Sequence, residues 1–116
     1  MRKARDMAWT AIHRYARIAP RKARLVADLI RGRRCDDALA LLKFTPKRAA
    51  FFVTRVLKSA MANANEDEAS MSDLVVREVR IDAGPIIKRF KAKDRGRAHS
   101  IQKKTSHIVV AVDEKD

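Results

Sequence analysis

The sequence of residues 49–81, AAFFVTRVLKSAMANANEDEASMSDLVVREVRI, changes its hydrophobic period once along its length. Apolar side chains first recur at helical spacing in one continuous stripe: Ala49, Val53, Val56, Leu57, Ala60, Met61 and Ala64. The stripe predicts a helix that ends near Asn65, with alanines that let other elements pack close to its backbone. A polar, acidic loop follows over 66–73, and the period then becomes two over Leu74–Ile81, which is typical of a strand. The chain therefore combines helix and strand.

The residues before this stretch predict a strand and a basic helix. Apolar and polar side chains alternate from Trp9 to Ile18, and a period of two indicates a strand. Pro20 follows, and proline is favoured in the first turn of a helix, where its missing N–H costs nothing. This helix is expected to bury Leu25, Val26, Leu29 and Ile30 and to expose Arg21, Arg24 and Arg31 on its opposite face. Gly32 is expected to end the helix as a left-handed cap.

A second, shorter helix is predicted over Asp36–Lys43, because two acidic residues stand at its positive end. Thr45 and Pro46 are expected to be the N-cap and the first residue of the third helix. Farther along the chain, Thr105–Val112 is rich in β-branched residues and predicts another strand.

A basic stretch that contains Gly84, Pro85 and Gly96 separates the last two predicted strands. This order predicts a hairpin over about 84–104, with arms that reach about 30 Å at about 3.3 Å per residue. Its sequence offers few apolar side chains, and an isolated two-stranded ribbon is only marginally stable in water. The hairpin must therefore be stabilised by a partner or remain mobile.

Charge is distributed unevenly along the 116 residues, whose formal net charge is +13. Residues 1–34 carry a net charge of +9, residues 35–85 carry −1, and residues 86–116 carry +5. A pI near 10.7 indicates a polyanionic partner, either a nucleic acid or an anionic membrane surface. The longest apolar runs hold five residues and are too short to span a bilayer. Two basic segments around a nearly neutral middle suit a protein embedded in folded RNA better than one on a membrane surface or on DNA, so no membrane partner is expected.

The sequence offers little support for catalysis or for a cofactor. Cys35 is the only cysteine, which excludes an internal disulfide and a zinc finger. The three histidines lie far apart, and three glycines are too few for a phosphate-binding loop. The pair Asp36 and Asp37 fits a helix start better than a metal site. We expect no cofactor, no metal and no enzymatic activity.

Three hypotheses explain the positive charge. The first is an RNA-binding structural protein, and the second is a sequence-specific regulator that uses the helix with Arg21, Arg24 and Arg31. The third is an enzyme that acts on nucleic acid. The regulator is disfavoured because its helix lacks the Asn or Gln side chains that commonly read base edges. Residues 1–24, rich in arginine and poor in acids, faintly resemble an organellar transit peptide, but a strand and a basic helix of the mature domain are the favoured interpretation.

Three blocks of sequence resemble the L twenty-two family of large-subunit ribosomal proteins. They are residues 17–32 (RIAPRKARLVADLIRG), 56–65 (VLKSAMANAN) and 84–108 (GPIIKRFKAKDRGRAHSIQKKTSHI), and the similarity extends over about 9–113. The resemblance implies an α+β fold, with three helices packed on a small antiparallel sheet and a long protruding β-hairpin. It also implies a structural constituent of the large ribosomal subunit in the cytoplasm, which binds large-subunit rRNA and supports assembly.

In this family the hairpin lines the nascent-peptide exit tunnel, near the L four protein at the constriction. The resemblance therefore implies rRNA, the nascent peptide and the L four protein as partners. The hairpin tip would be Lys88, Arg89, Phe90, Lys91, Ala92, Lys93, Asp94 and Arg95. The matching blocks and the basic residues within them give an expected rRNA-binding set: Arg17, Arg21, Lys22, Arg24, Arg31, Lys88, Arg89, Lys91, Lys93, Arg95, Arg97, Lys103, Lys104, Thr105, Ser106 and His107.

The sequence departs from the family pattern at three places. Ala92 stands where the family usually has a proline that would stiffen the tip. Asp94 places an acid where RNA phosphates or the nascent chain are expected, so we expect it to pair with Lys93 or Arg95. Residues 1–8 extend beyond the usual start and are expected to form a flexible basic arm, with a single domain over 9–116.

Overall fold

Five strands and three helices make up the part of the chain that the structure, a computed structural model, describes: residues 8–93 and 97–114. The strands are β1 (Trp9–Ala16), β2 (Leu74–Ala83), β3 (Ile87–Lys93), β4 (Arg97–Lys103) and β5 (Ser106–Glu114). The helices are α1 (Pro20–Ile30), α2 (Cys35–Lys43) and α3 (Arg48–Glu66), and a 3-10 turn at Met71–Asp73 precedes β2. No helix of these ranges is long and apolar enough to cross a membrane.

The main sheet is antiparallel, with the strand order β1-β5-β2. Its centre is β5, whose alternating Ile108, Val110 and Val112 are fully buried beneath the helices. The pairs Trp9↔Val112 and Val79↔Val110 set the register on either side of β5. On the face that the helices leave uncovered, Val109 and Ala111 are only 7% and 8% exposed, in agreement with the nearly continuous run of apolar residues in β5.

The helices cover one face of this sheet, and α3 supplies the largest part of the core. Its buried residues are Ala49, Ala50, Val53, Val56, Leu57, Ala60 and Ala64. These confirm the predicted stripe, except that Met61 is only partly buried. At the end of α3, the Trp9 indole Nε1–H donates a hydrogen bond of 2.6 Å to the Asp67 carboxylate, which joins the start of β1 to this helix. The α+β class and the helix-on-sheet arrangement are confirmed.

The buried face of α1 differs from the predicted one. Ala23, Val26, Ala27 and Ile30 are fully buried, whereas Leu25 and Leu29 are 56% and 42% exposed. Both sets have helical spacing, but the set with two alanines lets α1 approach the sheet more closely. The prediction that Leu25 and Leu29 are buried was therefore wrong.

Neither the predicted cap at the end of α1 nor the predicted start of α3 has the expected form. Gly32 has a φ of +81°, as expected, but it follows an extended Arg31 (φ −63°, ψ 126°). Arg33 N–H donates to Ile30 O at 3.1 Å, so Gly32 occupies the third position of a type II turn rather than a helix cap. Thr45 and Pro46 do not begin α3, whose N-cap is Lys47. The Thr45 hydroxyl instead donates to Leu41 O at 2.8 Å and extends the end of α2.

The hairpin is a separate two-stranded sheet, formed by β3 and β4. Its seven backbone pairs run from Ile87↔Lys103 to Lys93↔Arg97 and extend about 23 Å at about 3.3 Å per residue. The predicted protruding hairpin is thereby confirmed. Residues 94–96, which include Asp94 and Arg95, and residues 1–7 of the predicted basic arm lie outside the described residues. The pairing of Asp94 and the division into an arm at 1–8 and a domain at 9–116 therefore stay predictions.

Candidate nucleic-acid interface

The base of the hairpin is fixed to the helical domain by buried hydrogen bonds. Gly84 N–H donates to Thr105 O at 2.9 Å, and the Thr105 hydroxyl donates to Pro85 O at 2.7 Å. The Ser106 hydroxyl donates to Ile18 O at 2.6 Å, in the connection between β1 and α1. Thr105 and Ser106 are almost fully buried. Both belong to the expected rRNA-binding set, but the structure gives their side chains a role in holding the hairpin.

A groove beside this base brings together five cationic side chains. It has a volume of about 590 Å³ and is lined by Arg17, Ile18, Ala19, Lys22, Arg48, Lys103 and Lys104. These residues come from the β1–α1 connection, the first turn of α1, the start of α3 and the end of β4. Four of the cations were in the expected rRNA-binding set, and the fold brings them to one place from distant parts of the sequence.

The groove is also where α1 and α3 begin, because Ala19 is the N-cap of α1 and Arg48 is the first residue of α3. Neither N-cap residue, Ala19 or Lys47, makes a side-chain hydrogen bond to its helix, and neither helix has an acid in its first turn. The first N–H groups of a helix attract anions through their own polarity and through the helix dipole. Two helix N-termini and five cations therefore make this groove strongly attractive to phosphate.

Arg48 is a groove residue that the sequence reasoning missed. It lies in the nearly neutral segment 35–85, so the division of charge along the chain gave no reason to select it. A local signal was present, since Lys47 and Arg48 stand at the positive end of a helix, where acids are favoured. Cations in that position are repelled by the helix dipole, and an anionic ligand would offset this repulsion.

A second cavity, of about 300 Å³, lies on the other side of Lys104, and Arg21, Arg24, Gly84 and Ile86 are among its lining residues. Ile86 is 47% exposed. Lys104 lines both cavities, so the basic surface continues from the groove across the base of the hairpin.

Arg24 and Arg31 have a structural role at the edge of the sheet. Arg24 Nη2 donates to Ile81 O at 3.0 Å, and Arg31 Nη2 donates to Val79 O at 2.7 Å. Arg31 also pairs with Asp28 at 2.5 Å. These contacts cover carbonyl groups of the edge strand β2, which would otherwise be open to another strand. The side chains of a recognition helix must be free to enter a groove of the nucleic acid. The arginines of α1 that bind β2 are not free in this way, which weighs against the regulator hypothesis.

The remaining expected residues lie on the hairpin and at its base. Lys88, Arg89, Lys91 and Lys93 belong to β3 and Arg97 to β4. Arg95 lies outside the described residues. His107 stands at the start of β5, where its Nδ1 accepts a hydrogen bond of 3.1 Å from the Tyr15 N–H.

The described residues give no basis for metal or thiol chemistry. Within 8–93 and 97–114, no group of three or more His, Cys, Asp or Glu side chains could hold a metal ion. Burial, and secondly the charge of Asp36, raises the pKa of the Cys35 thiol to about 11. A thiol with such a pKa stays protonated near neutral pH and is a poor nucleophile.

Comparison with known proteins identifies the family. The profile of the family described as "Ribosomal protein L22p/L17e" matches residues 11–113. The "Large ribosomal subunit protein uL22" of one strain of Desulfitobacterium hafniense is 55% identical over 106 residues, which cover 90% of this chain and 93% of that protein. The protein of the same name from a second strain matches with the same identity and coverage. The chain therefore belongs to the ribosomal protein L22p/L17e family.

Proposed function

We propose that this protein is a structural constituent of the large ribosomal subunit of the bacterial cytoplasm, where it binds large-subunit rRNA and supports assembly. Its relatives carry the name of a large-subunit protein, and its family consists of ribosomal structural proteins, not enzymes. The observation that carries the proposal is the groove in which Arg17, Lys22, Arg48, Lys103 and Lys104 surround the beginnings of two helices.

The groove suits RNA phosphates in both charge and shape. Arginine and lysine neutralise phosphates and release their counterions, and this term supports binding without reading sequence. The cations surround a concave space rather than lying along one helix face, which fits a bend of folded RNA better than a straight duplex. The groove therefore fixes the helical domain on rRNA.

The hairpin extends this interface away from the domain. In our proposal it passes between RNA segments and lines the nascent-peptide exit tunnel, with the L four protein near the constriction. In this proposal the tunnel-lining stretch is residues 88–95, which begins near the base of the ribbon, where Lys88 pairs with Gln102, and continues along β3. The positive charge of the hairpin comes from Lys88, Arg89, Lys91, Lys93, Arg95 and Arg97. A ribbon that pairs with no strand of the main sheet requires such surroundings for stability.

The groove is tested by the salt dependence of binding between the full-length protein and large-subunit rRNA transcribed in vitro. We expect Arg48→Ala to weaken binding at low salt and to reduce the slope of log K against log salt by about 0.7–0.9, the value for one lost phosphate contact. Lys58→Ala is the matched control, since Lys58 is exposed on the same helix, about 15 Å along its axis from Arg48.

An unchanged slope for Arg48→Ala would contradict the groove as a phosphate site. An equal change in both variants would contradict it as well, because the loss would then follow net charge and not position.

A further inference from the structure

Tyr15 occupies an unusual backbone position at the end of β1. The register changes from His13↔Ile108 to Ala16↔Ser106, so Arg14 and Tyr15 together stand opposite His107 in a β-bulge. Tyr15 has a φ of +58°, in the left-handed region. A bulky residue is disfavoured there, and glycine or asparagine would adopt this conformation more readily. The backbone conformation therefore does not favour a tyrosine at this position.

The tyrosine ring is held in place but left open. Its backbone N–H donates to His107 Nδ1 at 3.1 Å, and the two ring centroids lie 4.9 Å apart at an interplanar angle of 86°. This edge-to-face contact orients the Tyr15 ring while the residue remains 59% exposed. Strained residues with fixed, exposed side chains occur preferentially at functional sites.

The charge around Tyr15 indicates what covers it. Arg14 and Arg17 are both exposed, and no acidic residue occurs between Asp6 and Asp28 in the sequence. Asp82 lies opposite His107 in the sheet, but its carboxylate is paired with the Arg80 guanidinium at 3.1 Å. Every charged residue between Asp6 and Asp28 is basic, so the exposed ring lies in a strongly cationic segment of the chain. An open aromatic ring in such a segment matches a nucleotide, whose base stacks on the ring and whose phosphates are attracted to the positive charge.

We propose that Tyr15, oriented by the bulge and by His107, stacks on one unpaired nucleobase of the large-subunit rRNA. This inference rests on the proposed function. It adds a base contact on the open face of the sheet, beyond the phosphate contacts of the groove. Unpaired bases in RNA loops and bulges are the usual partners of exposed aromatic side chains.

The chain simplifies the test, because Tyr15 is its only tyrosine. Full-length protein labelled with 3-fluorotyrosine gives a single ¹⁹F resonance, and we expect this resonance to shift when large-subunit rRNA transcribed in vitro is added. We expect Tyr15→Asn to bind this rRNA about 5- to 150-fold more weakly, the range for the loss of one base–aromatic stack. Tyr15→Phe keeps the ring and is expected to bind as the wild type does.

Stability separates stacking from a structural role. Asparagine tolerates the left-handed conformation, so Tyr15→Asn is expected to keep or raise the midpoint of thermal unfolding while RNA affinity falls. Phe44→Ala is the control, since Phe44 is an aromatic residue that is 80% exposed in a backbone conformation with negative φ. It is expected to bind rRNA with unchanged affinity.

Each other outcome overturns a defined part of the account. If the wild type binds rRNA and Tyr15→Asn binds equally well, the stacking assignment fails and the proposed function stands. If the wild type does not bind rRNA, the proposed function itself fails. A ¹⁹F shift that occurs only in assembled subunits, and not with rRNA alone, would indicate that a neighbouring protein, and not a nucleobase, contacts the Tyr15 ring. An equal loss of affinity in Phe44→Ala would also refute the stacking role, as would a loss of affinity in Tyr15→Asn that is explained by unfolding at the temperature of the binding measurement.

Discussion

Gly84 packs so closely against Thr105 at the base of the hairpin that there is no space for a side chain at this position. Adding one methyl group tests this close packing. A Cβ at this position would lie 2.5 Å from Thr105 Oγ1 and 3.3 Å from Thr105 O. The Thr105 hydroxyl would have to move and give up its hydrogen bond of 2.7 Å to Pro85 O. We expect Gly84→Ala to lower the free energy of unfolding by about 2–4 kcal/mol, from overpacking and a lost hydrogen bond together.

A double-mutant cycle with Thr105→Ala isolates the cause. Thr105→Ala alone removes the hydroxyl and is expected to lower the free energy of unfolding by about 1–2 kcal/mol. In the double variant the new methyl group no longer meets Oγ1. The combined loss is therefore expected to fall short of the sum of the single losses by about 1–3 kcal/mol.

Gly32→Ala is the matched control, because Gly32 combines a φ of +81° with open space for a Cβ. Its cost of about 1–2 kcal/mol comes from the backbone and is expected to add to that of Thr105→Ala. Urea unfolding followed by the fluorescence of Trp9, the only tryptophan, measures all five variants. Additivity of Gly84→Ala and Thr105→Ala to within about 0.5 kcal/mol would refute the steric argument.

Two further predictions concern the sheet edge and the buried thiol. We expect Arg31→Ala to lower the free energy of unfolding by about 1 kcal/mol, since it loses the bond to Val79 O, and to speed hydrogen exchange in β2; unchanged exchange would contradict this role at the edge. The pKa of Cys35 is raised in the folded state from 9.0 to about 11, so its contribution to stability is complete below about pH 9 and is lost as pH rises toward 11. Stability measured over this pH window is expected to fall more steeply in the wild type than in Cys35→Ala, and identical slopes would refute the effect of burial on the thiol.

Much of the fold could be predicted because its signals are local. The helical spacing from Ala49 to Ala64 and the β-branched run of β5 each indicate their secondary structure without knowledge of the rest of the fold. Leu25 and Leu29 have the same helical spacing as Ala23 and Ala27, but the two alanines form the buried face because their small side chains allow the closer contact. That choice depends on the distance between α1 and the sheet, which the helix sequence alone does not contain.

The candidate site was less predictable because it depends on which residues the fold brings together. The positive charges of α1 and the hairpin were evident from the sequence, but Arg48 joins them only through the packing of α3. Thr105 and Ser106 were selected beside basic neighbours, and their burial follows from the pairing of β5 with the base of the hairpin. The strain at Tyr15 arises from a bulge, and the alternating sequence of β1 gives no sign of the extra residue.

In our proposal the groove and the hairpin together hold this protein in folded rRNA. The decisive measurement is a cryo-EM map of the large ribosomal subunit from the source organism. We predict RNA phosphates in the groove, within hydrogen-bond distance of Arg17, Arg48 and Lys104, and the hairpin at the wall of the exit tunnel. A bound chain whose groove faces solvent, with its hairpin away from the tunnel, would contradict it.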